Sequence, residues 1–247
     1  MLITEQDHRE DLETLFNSKE LRAIVKKGVV HVGAHLGQEV EQYFRLGFER
    51  IVLIEANPEL CDVLIAKFGG DLRIKIFNYA ICDRQGLIDF HVHTSRSGST
   101  EPASILRMKR FNKIVHTLHT PRVMQVPATT LDVLFDTYQL RRADYNYLNV
   151  DIQGAEILAF KGAEKLLAAI DVIVSEVNLV DLYEGGPLED EVVSFLTRYG
   201  FVKKRAVYHT LYDEKSTFPA WGECLFIRQP ASTLTHESIM DAQRART

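Results

Sequence analysis

Cysteine is scarce in this 247-residue chain, which holds only Cys61, Cys82 and Cys224. Three scattered thiols make no disulfide framework, and no CxxC pair is present to begin a zinc site. Long apolar runs are missing too: no stretch offers the roughly 18 uncharged apolar residues of a membrane span. The opening residues, MLITEQDHREDLETLF, set charges ahead of any apolar run, so a cleaved secretion signal is not expected. The chain therefore reads as cytoplasmic, with no membrane partner. A surplus of positive charge is also lacking. Lys and Arg number 29 against 34 Asp and Glu, a formal net charge of −5, which argues against a nucleic-acid partner. No internal repeat of solenoid period is visible.

What is present is the composition of a globular protein, 46% hydrophobic and 26% charged, at a length that open α/β sheets often fold as one domain. Residues 5–25 space Leu12, Leu15, Phe16, Leu21, Ile24 and Val25 among charges as an amphipathic helix or helix pair does. GVVHVGAHLG, residues 28–37, is a β-branched run that stops at glycine and leads into the helical pattern EVEQYFRLG. ERIVLIEANPEL repeats this grammar, with a turn at Asn57-Pro58 and a helix ending at Gly69-Gly70. RIKIFNYAI, residues 73–81, reads as a third strand, and GLIDFHVH as a strand after a turn around Asp83. Residues 94–127 are rich in Ser, Thr and basic side chains and show no strand alternation before MQV. A loop of that length is usually functional or disordered. A capped helix is predicted from Thr130, a buried strand at YNYLNVD, and a helix broken by Gly162. DVIVSEVN is a further buried strand, EDEVVSFLTRYGF a helix, and FVKKRAVYHTLY with GECLFIR a hairpin. Strands alternating with helices predict an α/β, doubly wound and mainly parallel sheet. The hairpin would add an antiparallel C-terminal edge strand.

In such sheets ligands sit at the carboxyl ends of the strands, near the point where strand order reverses. The conspicuous polar residues fall at these ends. Gly33-Ala34-His35-Leu36-Gly37 follows the first strand as a GxxxG loop, which lets backbone approach a ligand or simply makes a strand-helix turn. Glu55 ends the second strand about 20 residues after Gly33, where a carboxylate can accept from both hydroxyls of a ribose. Together these favour an adenosine-containing cofactor. The loop lacks the GxGxxG of dinucleotide folds, which leans away from NAD.

The blocks VVHVGAHLGQEVEQYF, VLIEANPEL, FNYAICDRQGLIDFHV, VPATTLDVLF, YLNVDIQGAEILAFKGAEKLL and VIVSEVN, in this order, resemble the FkbM family of S-adenosylmethionine-dependent methyltransferases. DIQGAEILAFKGAE is the most diagnostic block, similar to the family's D-x-E-G-x-E segment with its following K-G-A. Two positions depart from the pattern: His35 stands where the family usually has Asn, and Gln153 where Glu is usual. The resemblance implies a Rossmann-like, seven-stranded sheet of the class I methyltransferase type over residues 28–228. A helical cap over 1–27 and a polar tail over 229–247 would flank it. It further implies S-adenosyl-L-methionine as cofactor, cradled at its amino-acid end by Gly33, Ala34, His35 and Gly37. Glu55 would take the ribose hydroxyls beside Ala56 and Asn57. Ala80 and Ile81 would border the adenine, and Asp83 could meet its amino group. Asp151 would face the methyl-transfer site. The family's preference is for O-methylation, which implies an acceptor hydroxyl on a sugar, glycan or polyketide-type natural product.

A hydroxyl is a weak nucleophile and gains from a general base. Asp151, Glu156 and Glu176 are the candidates by location, with His35 a fourth. Each also has a structural reading: Glu156 is a first-turn residue that complements the helix dipole, and Glu176 is a carboxylate ending a core strand. His91 and His93 share a strand face as metal ligands sometimes do, but no third ligand is evident and no metal is expected. Arg96, Arg107, Lys109, Arg110 and Lys113 form a basic stretch suited to an acidic acceptor or to solvent. Trp221, with Gly222 and Glu223 before the last strand, forms either an acceptor wall or a simple packed aromatic. Residues 94–127 and the Gly185-Gly186-Pro187 turn are the segments expected to define the acceptor. Two other functions remain open at this point, an NAD-dependent oxidoreductase using the same Glu55, for which no Tyr-x-x-x-Lys is convincing, and a non-catalytic nucleoside-binding domain of the same fold.

Overall fold

The β-branched runs pair as parallel strands in the computed structural model, which describes residues 14, 15, 17–94, 100–109, 122–212 and 217–229. The strands are β1 (Gly28–Val32), β2 (Arg50–Glu55), β3 (Ile74–Asn78), β4 (Ala80–Ile81), β5 (Gly86–Thr94), β6 (Thr100–Ser104), β7 (Arg122–Thr129), β8 (Tyr147–Val150), β9 (Val172–Asn178), β10 (Phe201–Tyr212) and β11 (Thr217–Arg228). The helices are α1 (Lys19–Arg22), α2 (Val40–Arg45), α3 (Pro58–Phe68), α4 (Leu131–Thr137), α5 (Glu156–Lys161), α6 (Glu164–Leu167) and α7 (Glu189–Arg198). Of the helix expected over residues 5–25, the described part holds α1, while Leu12 and Phe16 lie outside the described residues. Most of the 229–247 tail lies outside them too.

Seven strands form the main sheet in the order β10-β11-β9-β8-β1-β2-β3. The pairs β1/β2, β2/β3, β1/β8 and β8/β9 are parallel, whereas β11 is antiparallel to both β9 and β10. The antiparallel strand thus sits one place in from the edge, and β10 closes the sheet. The chain walks outward through β1, β2 and β3, then returns to add β8 on the far side of β1. That reversal places a crevice over the carboxyl ends of β1 and β8.

The central strands β1, β2, β8 and β9 are mostly apolar because both faces are covered. Along β1 every residue is buried. Val30 and Val32 join Val52, Ile54, Leu148, Val150 and Ile173 under the helices α4 to α7. Val29 belongs to the opposite layer with Ile51, Leu53, Tyr147 and Val174, against α2 and α3. His31 faces this second layer, where its ring meets the Tyr43 hydroxyl at 3.2 Å and the Asn149 amide at 3.3 Å.

A second, four-stranded sheet in the order β4-β7-β5-β6 stands beside the crevice, and the sequence did not announce it. Two of its strands fall in the stretch read as a long loop. β6, TEPAS, carries Pro102 and no alternation, which an edge strand tolerates. Pro127 sits within β7, but β4 pairs only with Ala128 and Thr129, so the missing N–H costs no ladder bond on that side. The third predicted strand is likewise split. β3 loses its partner where β2 ends, the Glu55–Asn78 pairing being the last, and Ala80 and Ile81 cross to β7 instead.

Candidate active site

Three strand ends build the crevice. At the end of β1, Gly33 has φ +86, and a Cβ there would lie 1.8 Å from the Asp151 carbonyl oxygen. Glycine is required because the loops after β1 and β8 touch: Asp151 N–H donates to the Val32 carbonyl at 3.0 Å, and Gly33 N–H to Ile54 at 2.9 Å. The loop then turns through His35, in the left-handed region at φ +47. Helix α2 begins at Val40, whose N–H donates to the Gly37 carbonyl at 3.3 Å. The loop amide of His35 donates to Glu55 Oε2 at 2.8 Å.

Glu55 ends β2, and its other oxygen, Oε1, accepts from Asn57 N–H at 2.8 Å. The two amides fix the plane of a carboxylate that is 6% exposed. Burial raises its pKa, and the same amides oppose the shift. Asn57 caps α3, its side-chain oxygen accepting from Glu59 N–H at 3.0 Å. Asn78 clamps this corner from β3, donating to the Glu55 and Ala56 carbonyls at 2.8 and 3.1 Å.

Over these strand ends opens a cavity of about 330 Å³. Gly33, His35, Glu55, Ala56, Asn57 and Asp151 line one side, with Tyr79, Ala80 and Ile81 at its far end. The second sheet supplies the opposing wall through Phe90, Val92, Ala103 and Ile105. A smaller cavity of about 140 Å³ adjoins it, sharing Gly33, His35 and Asp151. Its character is different: Glu39, Asp151, Glu176 and Glu223 line it with His31, Gln38 and Asn149.

The loop after β8 carries the densest chemistry. Gln153, at φ +57, donates from Nε2 to Asp151 Oδ1 at 2.9 Å and to Glu176 Oε1 at 3.0 Å. Its side-chain oxygen accepts from the Tyr183 hydroxyl. Glu176 lies directly across from Glu223 in the β9/β11 register, and Glu223 meets His209 Nε2 at 2.7 Å. Burial, then the charges of Asp151, Glu156 and Glu223, push the Glu176 carboxyl well above the usual range. Glu156 opens α5 and turns back, accepting from the amides of Ile152 at 3.3 Å and Gly154 at 3.0 Å. Burial lifts its pKa to about 7. This carboxylate staples the Asp151 loop from behind and lines neither cavity.

Of the residues expected at a cofactor site, Gly33, His35, Glu55, Ala56, Asn57, Ala80 and Ile81 meet at the larger cavity, and Ala34 lines the smaller. Gly37 lines neither; at φ +71 it packs where a Cβ would strike Phe68 and Leu64. Asp83 is exposed and outside both linings. Asp151 borders both cavities and Glu176 the smaller one. The HxH imidazoles are buried, on the face of β5 opposite Phe90 and Val92. Among the described residues, no group of three or more His, Cys, Asp or Glu is placed to hold a metal. Arg107 is exposed and Lys109 pairs with Asp181, while Arg96, Arg110 and Lys113 lie outside the described residues. Trp221 packs on His209 with ring centroids 5.4 Å apart and lines neither cavity. Sequence reasoning missed Phe90 and Val92, whose signal was the same alternation, FHVH, that drew attention to the histidines. It also missed Tyr183 and His209, for which no local pattern exists.

A reversal of strand order between β1 and β8, a carboxylate ending β2 and a second ending β8 define a Rossmann-like, doubly wound protein of the class I methyltransferase type. The chain belongs to the FkbM methyltransferase domain family, whose model matches residues 31–203. The family is one of S-adenosylmethionine-dependent methyltransferases; most of the β10–β11 hairpin, with His209 and Glu223, lies beyond the match. No curated protein matches the chain. Among solved structures, a Pyrococcus horikoshii protein put forward as an RNA methyltransferase is 14% identical, with 92% of this chain and 86% of that one covered at a TM-score of 0.49. Precorrin-6y C5,15-methyltransferase from Geobacter metallireducens is 11% identical, covering 92% and 90% at 0.48. A protein of the NADB-Rossmann superfamily from Streptococcus agalactiae is 11% identical, covering 100% and 74% at 0.48. Among the described residues, no helix is long and apolar enough to cross a membrane.

Proposed function

We propose that the protein transfers a methyl group from S-adenosyl-L-methionine to a hydroxyl oxygen of a small-molecule or glycan acceptor, a sugar or polyketide-type natural product. The observation that carries this reading is that Glu55 and Asp151, on different strands, face one cavity of about 330 Å³, a volume in the range of small-ligand sites. The lining fits a nucleoside. Each Glu55 oxygen accepts one backbone amide and retains a lone pair, so the oriented carboxylate can receive two ribose hydroxyls. Ala56 and Asn57 flank that position, and Ala80, Ile81 and the Phe90–Val92 wall offer an apolar slot for a base. Gly33, Ala34 and His35 would hold the amino-acid end, toward the smaller cavity.

The bound cofactor supplies an electrophilic methyl group, so the protein's task is chiefly to align an acceptor and exclude water. Asp151 borders both cavities and would take the acceptor's hydroxyl proton as its oxygen attacks. Glu176 would support Asp151, and Glu156 would hold the loop that carries it. Incubation with methyl-labelled S-adenosylmethionine and a panel of hydroxylated sugars and polyketides tests the reading. The expected product carries the label as an ether methyl, and Asp151→Asn should lower its rate of formation by about 10² to 10⁴-fold. Label recovered only on nitrogen or carbon would contradict O-methylation. No label transferred to any acceptor would favour a binding domain.

A further inference from the structure

The network joining Asp151 to Glu176 has a property that neither carboxylate has alone. One side-chain nitrogen, Gln153 Nε2, donates to both of them. Its two hydrogens are thereby both spent, and the two contacted oxygens, Asp151 Oδ1 and Glu176 Oε1, can only accept. The amide cannot reverse without presenting its oxygen to two carboxylates, and the Tyr183 hydroxyl donates to that oxygen from the other side. The backbone is held as well. Ser104 Oγ donates to the Gln153 carbonyl at 2.8 Å, and Tyr183 packs against Gly154, where a Cβ would come within 2.7 Å of its ring.

Asp151 and Glu176 also lie within hydrogen-bonding reach of each other, so the pair can hold one proton on either member. Asp151 borders two cavities and is half-buried, whereas Glu176 is 5% exposed and its Oε2 is buried without a hydrogen-bond partner. The groups facing Glu176 are Asp151 and Gln153 on the loop after β8, Glu156 on α5, Glu223 on β11 and the Tyr183 hydroxyl, with His209 paired to Glu223. Three of these are carboxylates, which makes a charge on Glu176 the costlier one.

We propose that Gln153 is a positioning residue: its amide bridges Asp151 and Glu176 so that a proton held by the pair stays on Glu176, the member turned away from the larger cavity. The consequence for catalysis rests on the reading of Asp151 as base, but the proton's location does not. A glutamate at 153 would set a third carboxylate against the other two. A glutamine reaches both without charge.

Infrared spectroscopy of the full-length protein tests this without any acceptor or cofactor. At a pH just above the titration of Glu156 near 7, a protonated-carboxyl band is expected. It should shift when glutamate carboxyls carry ¹³C, stay in place when aspartate carboxyls do, and vanish in Glu176→Gln. Absence of the band in the unsubstituted protein, or a band that follows the aspartate label, would overturn the proposal. In Gln153→Met, similar in length but without a donor, part of the band should follow the aspartate label. A band that still follows glutamate alone there would remove Gln153 from its role. Should that variant fail to fold, Gln153→Asn keeps an amide and tolerates positive φ, yet is a methylene too short to bridge, and must give the same split. Because the readout is protonation, its failure and the failure of methyl transfer are separate results.

Discussion

Glu156 is fully buried, yet it is a titratable group near neutrality, and this gives the fold a pH dependence. Its folded-state pKa is about 7 against an ordinary 4.5, chiefly through burial. The folded protein therefore holds this proton more tightly than the unfolded chain does. The stabilisation is complete below about pH 4.5, is lost as pH rises to about 7, and amounts to something on the order of 3 kcal/mol. Glu156→Gln keeps an oxygen for the amides of Ile152 and Gly154 and removes the titration. Urea midpoints should show the variant gaining on the parent protein between about pH 5 and pH 8, and an equal difference at both would contradict the assignment. The sequence left open whether this residue is catalytic or structural. In the structure its carboxylate staples the loop after β8 through the amides of Ile152 and Gly154, an arrangement set by a backbone turn that composition does not encode. Gln153 was visible only as an unusual residue in a familiar motif, because two of its partners, Glu176 and Tyr183, stand 23 and 30 residues further along the chain.

At the scale of elements, what the sequence showed depended on how locally each element is determined. β1, β2, β8 and β9 are buried on both faces and read as continuous apolar runs. Helix α4 was legible from its cap: Thr130 Oγ1 accepts from Val133 N–H at 3.1 Å. Thr130→Ala should cost about 1 kcal/mol in chemical denaturation, and a change near zero would mean that packing alone sets this helix start. The second sheet was not legible. β4 has two residues, β6 contains proline, and β7 carries Pro127 one residue before β4 begins to pair with it. These strands are held by pairing partners rather than by their own propensity. Order across the main sheet was also out of reach, since an antiparallel hairpin can add at an edge or slip its last strand inside, as β11 does between β9 and β10.

At the scale of the whole molecule, the reversal between β1 and β8 brings three separate segments to one crevice, and the second sheet closes it. Glu55 ends one strand, Asp151 another, and Phe90 and Val92 look back at both from a wall the sequence did not announce. On the proposed reading, this cavity takes a nucleoside whose charged end lies toward the carboxylates. Calorimetric titration with S-adenosylhomocysteine, with NAD as control and Glu55→Ala beside the parent protein, tests this most directly. The homocysteine compound should bind where NAD does not, and Glu55→Ala should weaken it by about 1 to 3 kcal/mol, the cost of leaving hydroxyl partners unmet. Binding of NAD alone, silence toward both, or an affinity unchanged by Glu55→Ala would contradict a methyl-donor site in this crevice.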